Sequence, residues 1–218
     1  MSIPVSNMPE EDFTDPLARL QDSHRRIERF LELTQNIALR TNRLSDSTDR
    51  EHLRLALRYL RNGPRVHSDD EEMSLFPRLR QLRSNDCLLV AATIDDLEKE
   101  HNVAAHSHRN IEELFERWLN SGPLNQGHYV QIVQMTNSLR EAYRSHIEYE
   151  DTVLFPLASS LLTAEQLSII GSEMLDRRVR ASVSMSSTSK CAIRRQQHLR
   201  SSSDETIQNY EKSGGSRP

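Results

Sequence analysis

Two stretches of this chain, HSDDEEMSLFP at residues 67–77 and HIEYEDTVLFP at residues 146–156, are versions of one motif. Each begins with a histidine, has a glutamate at the fourth position after it and then another acidic residue, and ends in Leu-Phe-Pro in the same register. The segments before them repeat as well, since LQDSH ends at His24 and LEKEH ends at His101. The chain is therefore predicted to be a duplicated helical hairpin.

Apolar residues spaced three and four apart predict long helices around these motifs. Asp15 and Pro16 supply an N-cap and a proline at the first helical position, which are typical of a helix start. Asn62-Gly63-Pro64 interrupts the second helix, and we expect a kink there. Long helices joined by short turns are typical of an all-α, antiparallel up-down-up-down four-helix bundle. The predicted helices cover residues 16–43, 47–83, 87–119 and 125–162, and a short fifth helix begins at residue 163.

Composition agrees with a helical fold and separates the chain into an acidic body and a basic tail. Aromatic residues make up 5% of the 218 residues, with 6 glycines and 8 prolines, which disfavours a turn-rich β-sandwich. The net charge is −4, yet residues 179–218 contain seven basic and three acidic side chains and ten serines. Few apolar groups remain there to offset the entropy of ordering. We expect an N-terminal arm at 1–14, a helical bundle at 15–178 and a disordered, Ser-rich basic tail at 179–218.

Several classes of function lack support in the sequence. No stretch approaches the roughly 18 uncharged apolar residues of a membrane helix, and the polar N-terminus does not resemble a signal peptide. Cys87 and Cys191 form no CxxC motif, which excludes a zinc or disulfide framework. P-loop, GxGxxG, GxSxG and HExxH motifs are absent, so nucleotide, hydride and hydrolase chemistry lack support. We expect a cytoplasmic protein without a membrane partner, and the sparse charge of the tail does not indicate nucleic-acid binding.

The stripe that each long helix turns toward the core carries a histidine. A single histidine among leucines and isoleucines is usually a hydrogen-bonded core residue, but four at matching positions indicate a shared role. The four are His24, His67, His101 and His146.

Helix geometry selects which acidic residues join these histidines. A side chain at i+4 lies about 40° from the first, whereas one at i+5 lies about 140° away. Glu71 therefore shares the face of His67, and Glu150 shares the face of His146, whereas Glu72 lies on another face. Glu148 and Asp151 are likewise expected to be solvent charges.

Four imidazoles and two carboxylates inside a bundle predict a metal site. Buried carboxylates must be paired, hydrogen-bonded or metal-bound, and no Lys or Arg lies close to them on these stripes. The set exceeds the four ligands of one tetrahedral zinc but matches two ions, each with two histidines and shared glutamates. Mixed nitrogen and oxygen ligation with vacant positions suits iron. Ferritin-like di-iron bundles use Glu-x2-His, so the order His-x3-Glu disfavours that subclass.

On these residues the chain resembles the hemerythrin-like family, the HHE cation-binding domain, across roughly residues 15–178. Six positions agree in type, order and spacing, and Leu-Phe-Pro follows both carboxylate motifs. The resemblance implies an up-down-up-down bundle that holds two non-haem iron ions, which an oxo or hydroxo group can bridge. It also implies the residues that hold the ions. The terminal ligands of the iron ions would be His24, His67, His101 and His146, and the bridging carboxylates would be Glu71 and Glu150.

One position departs from the oxygen-carrying members of this family. They have a further histidine one turn after the first ligand of the third helix, where this chain has Ala105. The set of four His and two Glu is similar to iron-sensing hemerythrin-like domains and to repair proteins for iron centres. One imidazole fewer leaves a more open iron, which argues against reversible oxygen carriage.

Three functions remain open at this point. The first is a di-iron protein that binds or senses O2, nitric oxide, peroxide or iron without catalytic turnover. The second is an enzyme-like reduction of nitric oxide or peroxide, or repair of iron centres, which requires an electron donor. The third is an interaction module with a structural metal site. Because the motifs specify only the metal site, a metal-binding protein is favoured over an enzyme.

Other polar residues near the predicted site are assigned mainly to packing. His108 is seven residues after His101, about 10 Å along the axis, and we expect a hydrogen-bonded core histidine or one that supports a ligand. His106 is expected to face away. Tyr143 and Tyr149 flank His146, where they can pack or hydrogen-bond a ligand carboxylate.

Overall fold

The structure, a computed structural model, describes residues 13–40, 47–82, 87–122 and 124–180. All regular secondary structure in these ranges is helical, which confirms the predicted all-α class. Helix α8 covers residues 164–180 and is longer than the short fifth helix predicted from the sequence. The preceding helices are α1 (Pro16–Arg40), α2 (Ser47–Leu60), α3 (Gly63–Asp70), α4 (Phe76–Arg80), α5 (Cys87–Ser121), α6 (Gln126–Tyr149) and α7 (Phe155–Leu161).

Side-chain caps explain where several helices begin. Asp15 Oδ1 accepts a hydrogen bond from the Ala18 N–H at 3.0 Å, as expected for an N-cap followed by proline. At the start of α8, the Thr163 N–H donates to Gln166 Oε1 at 2.9 Å and the Gln166 N–H donates to Thr163 Oγ1 at 3.2 Å. This reciprocal pair is a capping box. It satisfies backbone N–H groups that have no partner inside the helix, so α8 begins here as a helix separate from α7.

The predicted interruption of the second long helix is present between α2 and α3. Residues 61–62 form a turn, and Pro64 lies in the first turn of α3. A Cβ atom on Gly63 would lie 2.6 Å from Cζ of the Tyr59 ring, so a larger residue there would displace that ring. The turn itself depends on Pro64, which cannot continue the helical hydrogen bonds of α2.

The sequence did not predict that a π-helical turn interrupts each motif, at Glu71–Leu75 and Glu150–Leu154. The Phe76 N–H donates to the Glu71 carbonyl and the Phe155 N–H donates to the Glu150 carbonyl, five residues back. A proline follows each phenylalanine, lacks an N–H, and clashes with the carbonyl four residues earlier. The repeated Leu-Phe-Pro therefore accounts for both wide turns, and wide turns of this kind occur frequently at functional sites.

The helices pack around two apolar clusters that leave a polar layer between them. One cluster includes Ile27, Phe115 and Trp118, and the other includes Phe76 and Phe155. Helix α1 packs on α2 and α6, and α5 packs on α4 and α6. These contacts describe a helical bundle, whereas the antiparallel up-down-up-down order stays a prediction.

Contacts divide the chain into two units, residues 1–174 and 175–218. The first contains both motifs, and the second is described only as far as residue 180, where residues 175–180 are helical. The predicted arm, apart from residues 13 and 14, and the tail beyond residue 180 lie outside the described residues, so both stay predictions. None of the described helices combines the length and the apolar character needed to cross a bilayer.

Candidate metal centre

Four histidines meet inside the bundle as two pairs. His24 and His67 bring their Nε2 atoms to 2.9 Å, and His101 and His146 bring theirs to 3.1 Å. The rings of each pair meet edge to face, with centroids 4.5 Å and 4.8 Å apart. All four side chains are buried. Each pair thus aims two ring nitrogens at one point, and each pair joins two different helices.

Two glutamates lie between the pairs, and each one reaches both. Glu150 places Oε2 at 3.1 Å from His24 Nε2 and Oε1 at 3.2 Å from His146 Nε2. Glu71 places a single oxygen, Oε2, at 3.4 Å from Nε2 of both His67 and His101. The structure therefore brings all six predicted side chains together, with each carboxylate between one histidine of the first pair and one of the second.

The donor atoms form two groups that suit two ions. Ligand atoms of His24, His67, Glu71 and Glu150 lie within 4.8 Å of one another, as do those of His101, His146 and Glu150. The two groups share Glu150, and Glu71 belongs to the first group. Two groups suit two ions, whereas bridging by both glutamates stays a prediction. Iron accepts this mixture of imidazole nitrogen and carboxylate oxygen.

The two glutamates are the strongest indication that a cation belongs here. Neither side chain is exposed to solvent, and none of their four oxygens has a hydrogen bond of acceptable geometry within the described residues. Their ion pairs in the same residues are with histidines, not with Lys or Arg. Leaving buried carboxylate oxygens unpaired costs several kcal/mol. A divalent cation held by these side chains would supply the missing positive charge.

Burial and the neighbouring charges shift the pKa values of the glutamates and histidines of the centre. Burial, reinforced by the Glu150 charge, raises the pKa of Glu71 well above its usual range. Burial and the neighbouring His24 lower the pKa of His67. Burial also opposes ionisation of Glu150, but the close contacts with His146 and His24 outweigh it and lower the pKa of Glu150. In the absence of a metal, the raised pKa of Glu71 favours its protonated form, and binding of a cation there would release that proton.

Three of the four histidines are held by a carboxylate at the ring nitrogen that faces away from the centre. His24 Nδ1 lies 2.9 Å from Asp151 Oδ1, His101 Nδ1 lies 2.8 Å from Glu72 Oε1, and His146 Nδ1 lies 2.7 Å from Glu100 Oε2. A carboxylate accepts the Nδ1 proton, so the Nε2 lone pair points inward. This arrangement orients imidazoles for metal binding in many proteins.

The expectation that Asp151 is a solvent charge was wrong, and Glu72, although predicted to lie on another face from His67, contacts a histidine of the site. The angle along a helix gives a direction only relative to the histidine on the same helix, where position i+5 points sideways. A neighbouring helix occupies that side, so Glu72 reaches His101 and Asp151 reaches His24. The sequence contained a usable signal, since an acidic residue follows the glutamate in both copies of the motif. Glu148, by contrast, is exposed as expected.

The phenylalanines of the Leu-Phe-Pro segments stack on one histidine of each pair. Phe155 stacks on His24 with centroids 5.5 Å apart and planes 10° apart, and Phe76 stacks on His101 at 6.1 Å and 5°. Both phenylalanines are almost completely buried. The motif therefore supplies a glutamate to the centre, a wide turn beside it, and an aromatic ring that fixes a histidine of the other half.

His108 and Tyr143 form a separate polar contact above the centre. His108 Nε2 lies 3.0 Å from the Tyr143 hydroxyl, which confirms the expectation of a hydrogen-bonded histidine. Burial lowers the pKa of His108 to about 4 and raises that of Tyr143. His106 is exposed, as predicted, and Tyr149 is partly exposed. The Tyr143 hydroxyl thus serves His108 and not a glutamate of the centre.

A cavity of about 800 Å³ opens between α5 and α6 on one side of the centre. His101 and His146 line its inner end, and its walls are mostly apolar, with Leu139 and Met135 among them. His24 and His67 do not line it. The second histidine pair is therefore the one that a small molecule can approach through this cavity.

Comparison with known proteins agrees with this geometry. The sequence profile of the hemerythrin HHE cation binding domain matches residues 15–158, a span that contains all six buried side chains and both Leu-Phe-Pro segments. No curated protein matches the chain significantly. This chain belongs to the hemerythrin HHE cation-binding family.

Proposed function

We propose that this protein binds two non-haem iron ions between its histidine pairs and uses them to bind or sense O2, nitric oxide or peroxide. The observation that carries the proposal is the convergence of four Nε2 atoms on two buried glutamates, whose oxygens have no hydrogen bond among the described residues. Such a donor set is costly without a cation and complete with two.

The side chains have different roles in holding the ions. The histidine pairs supply nitrogen ligands from opposite sides, and Glu71 and Glu150 join the two positions because each lies beside both pairs. Asp151, Glu72 and Glu100 fix three imidazole rings through Nδ1. Bound iron supplies reversible Fe(II)/Fe(III) chemistry and open positions for a small ligand.

Access supports a role in binding a small ligand. The cavity between α5 and α6 reaches His101 and His146, and its apolar lining suits an uncharged diatomic molecule. The side chains of His24 and His67 are almost completely buried, so the first pair has little contact with water. An enzyme-like reduction needs an electron donor, so binding or sensing is the simpler proposal. Its expected location is the cytoplasm.

Metal analysis and optical spectra of the purified protein test the proposal. We expect two iron ions per chain after aerobic loading, near-ultraviolet charge-transfer absorption, and spectral changes on reduction followed by nitric oxide. Glu148→Ala is the matched control, because Glu148 is an exposed acid on the same helix as His146. A folded protein that binds no metal under these conditions would contradict the proposal, and metal without a response to nitric oxide or O2 would leave only a structural metal.

A further inference from the structure

The repeat allows each residue around the first histidine pair to be compared with its counterpart around the second. Superposing LQDSH on LEKEH places His24 over His101 and therefore Ser23 over Glu100. Superposing the two Leu-Phe-Pro motifs places His67 over His146. If both halves of the centre were equivalent, the residue before each first histidine would make the same contact.

Only the second half makes that contact. Glu100 Oε2 lies 2.7 Å from His146 Nδ1. His67 Nδ1 is buried and has no hydrogen-bond partner among the described residues. The Ser23 side chain is shorter than that of Glu100 and has no carboxylate, so within the part of the chain that the structure describes one of the four imidazoles lacks the acceptor that orients the other three.

Other contacts around the centre are matched between the halves. Glu72 holds His101 at 2.8 Å and Asp151 holds His24 at 2.9 Å. Phe76 and Phe155 stack on the same two histidines. Among the contacts at Nδ1 and the stacked rings, the imbalance therefore reduces to one exchange, glutamate in the second half and serine in the first, while Glu71 Oε2 lies 3.4 Å from one histidine of each pair.

We propose, on the basis of the proposed di-iron site, that the two metal positions are unequal and that the Glu100–His146 contact makes the position at His101 and His146 the tighter one. A carboxylate acceptor at Nδ1 fixes the tautomer with a free Nε2 lone pair and raises ligand basicity. His67 has neither advantage. Metal ions therefore bind in sequence, first beside the cavity between α5 and α6 and then at His24 and His67.

Glu100 is a positioning residue, since it touches an imidazole and not the ions. Its side chain is 59% exposed, so its charge is largely screened by water. The effect we assign to it therefore comes from the hydrogen bond at Nδ1. Loss of such a contact typically lowers metal affinity about 10- to 100-fold.

Crystals of the full chain with one equivalent of Fe(II), prepared without oxygen, test the inequality directly. Anomalous scattering gives the occupancy of each position without any activity measurement. We expect the position at His101 and His146 to be occupied at least about tenfold more than the other. Equal occupancy in the unmodified protein would overturn the inference while leaving the di-iron site intact, and absence of metal from both would overturn the site itself.

Exchange of the two residues sharpens the test. Glu100→Ser gives the second half the residue of the first, and we expect the occupancies to become nearly equal. Ser23→Glu gives His67 an acceptor, and the combination of both substitutions should reverse the preference. Glu148→Ser removes an exposed acid on the same helix as His146 and should leave the ratio unchanged. An unchanged ratio in Glu100→Ser would overturn the inference even if Ser23→Glu does not fold.

Discussion

The two halves of the metal centre are alike where side chains face the centre and differ one layer farther out. Both present a histidine pair at closely similar spacing, a buried glutamate and a phenylalanine stacked on a histidine. They differ in the residue that supports the motif histidine and in access, since the cavity reaches only the second pair. Duplication has thus kept the donor set while the surroundings diverged.

The halves are also interlocked. The acidic residue after the first glutamate, Glu72, holds His101 in the second half, and its counterpart Asp151 holds His24 in the first. Each half therefore orients a ligand of the other. A single hairpin lacks the acid that orients its own first histidine, so the centre needs both halves.

The largest expected effect comes from removing a glutamate that touches both pairs. Glu150→Ala deletes the contacts to His24 and to His146, so we expect iron content to fall from two ions per chain to nearly none. Metal analysis after desalting measures this, with Glu148→Ala as the control that keeps both ions. Retention of one tightly bound ion in Glu150→Ala would mean that the halves bind independently.

The next effect concerns His108, whose counterpart in the first half is Leu31. Burial lowers the pKa of His108 to about 4 from 6.5, so the unfolded chain takes up a proton between these values and the folded chain does not. The free energy of unfolding is therefore fully maintained above pH 6.5 and falls by about 2 to 3 kcal/mol as the pH drops toward 4.

His108→Leu should remove that part of the acid sensitivity. Denaturant unfolding of the metal-free unmodified protein and of metal-free His108→Leu, each at pH 7 and pH 4.5, gives the loss of unfolding free energy between the two pH values. Subtracting one loss from the other cancels the contributions of the other histidines. At pH 7 the variant should be less stable by about 1 to 3 kcal/mol, because the Tyr143 hydroxyl loses its partner. An identical pH slope in both proteins would show that His108 takes up a proton in the folded state.

Glu72→Ala and Asp151→Ala should weaken metal binding by similar amounts. Each removes the Nδ1 partner of one histidine, so we expect Fe(II) affinity to fall about 10- to 100-fold in both. Competition with a chromophoric chelator measures the affinity. Unchanged affinity would restore the interpretation from helical angles, in which both residues lie outside the site.

The smallest effect is expected at the stacked phenylalanines. Phe76→Leu and Phe155→Leu keep an apolar side chain but lose the ring over His101 or His24. We expect each to lower the free energy of unfolding by about 1 kcal/mol, with little difference between them. Thermal or urea unfolding measures the pair, and a clear inequality would show that the halves differ in packing as well.

Much of the centre was predictable because its donor residues obey a simple helical rule. His67 and Glu71 share a face by their spacing, as do His146 and Glu150, and the repeat identified His24 and His101. The helix starts at residues 16 and 164 followed from local capping chemistry. These features depend on neighbours in the chain, which are visible in the sequence.

The sequence by itself determined the helical class, the duplication and the six side chains that meet, because each follows from periodicity and repetition along one chain. Only the tertiary structure decided which acids support the histidines, that His67 lacks such support among the described residues, and that a cavity leads to the second pair. Those properties depend on which helix lies beside which, and on a gap between two helices. No spacing within a single helix specifies them.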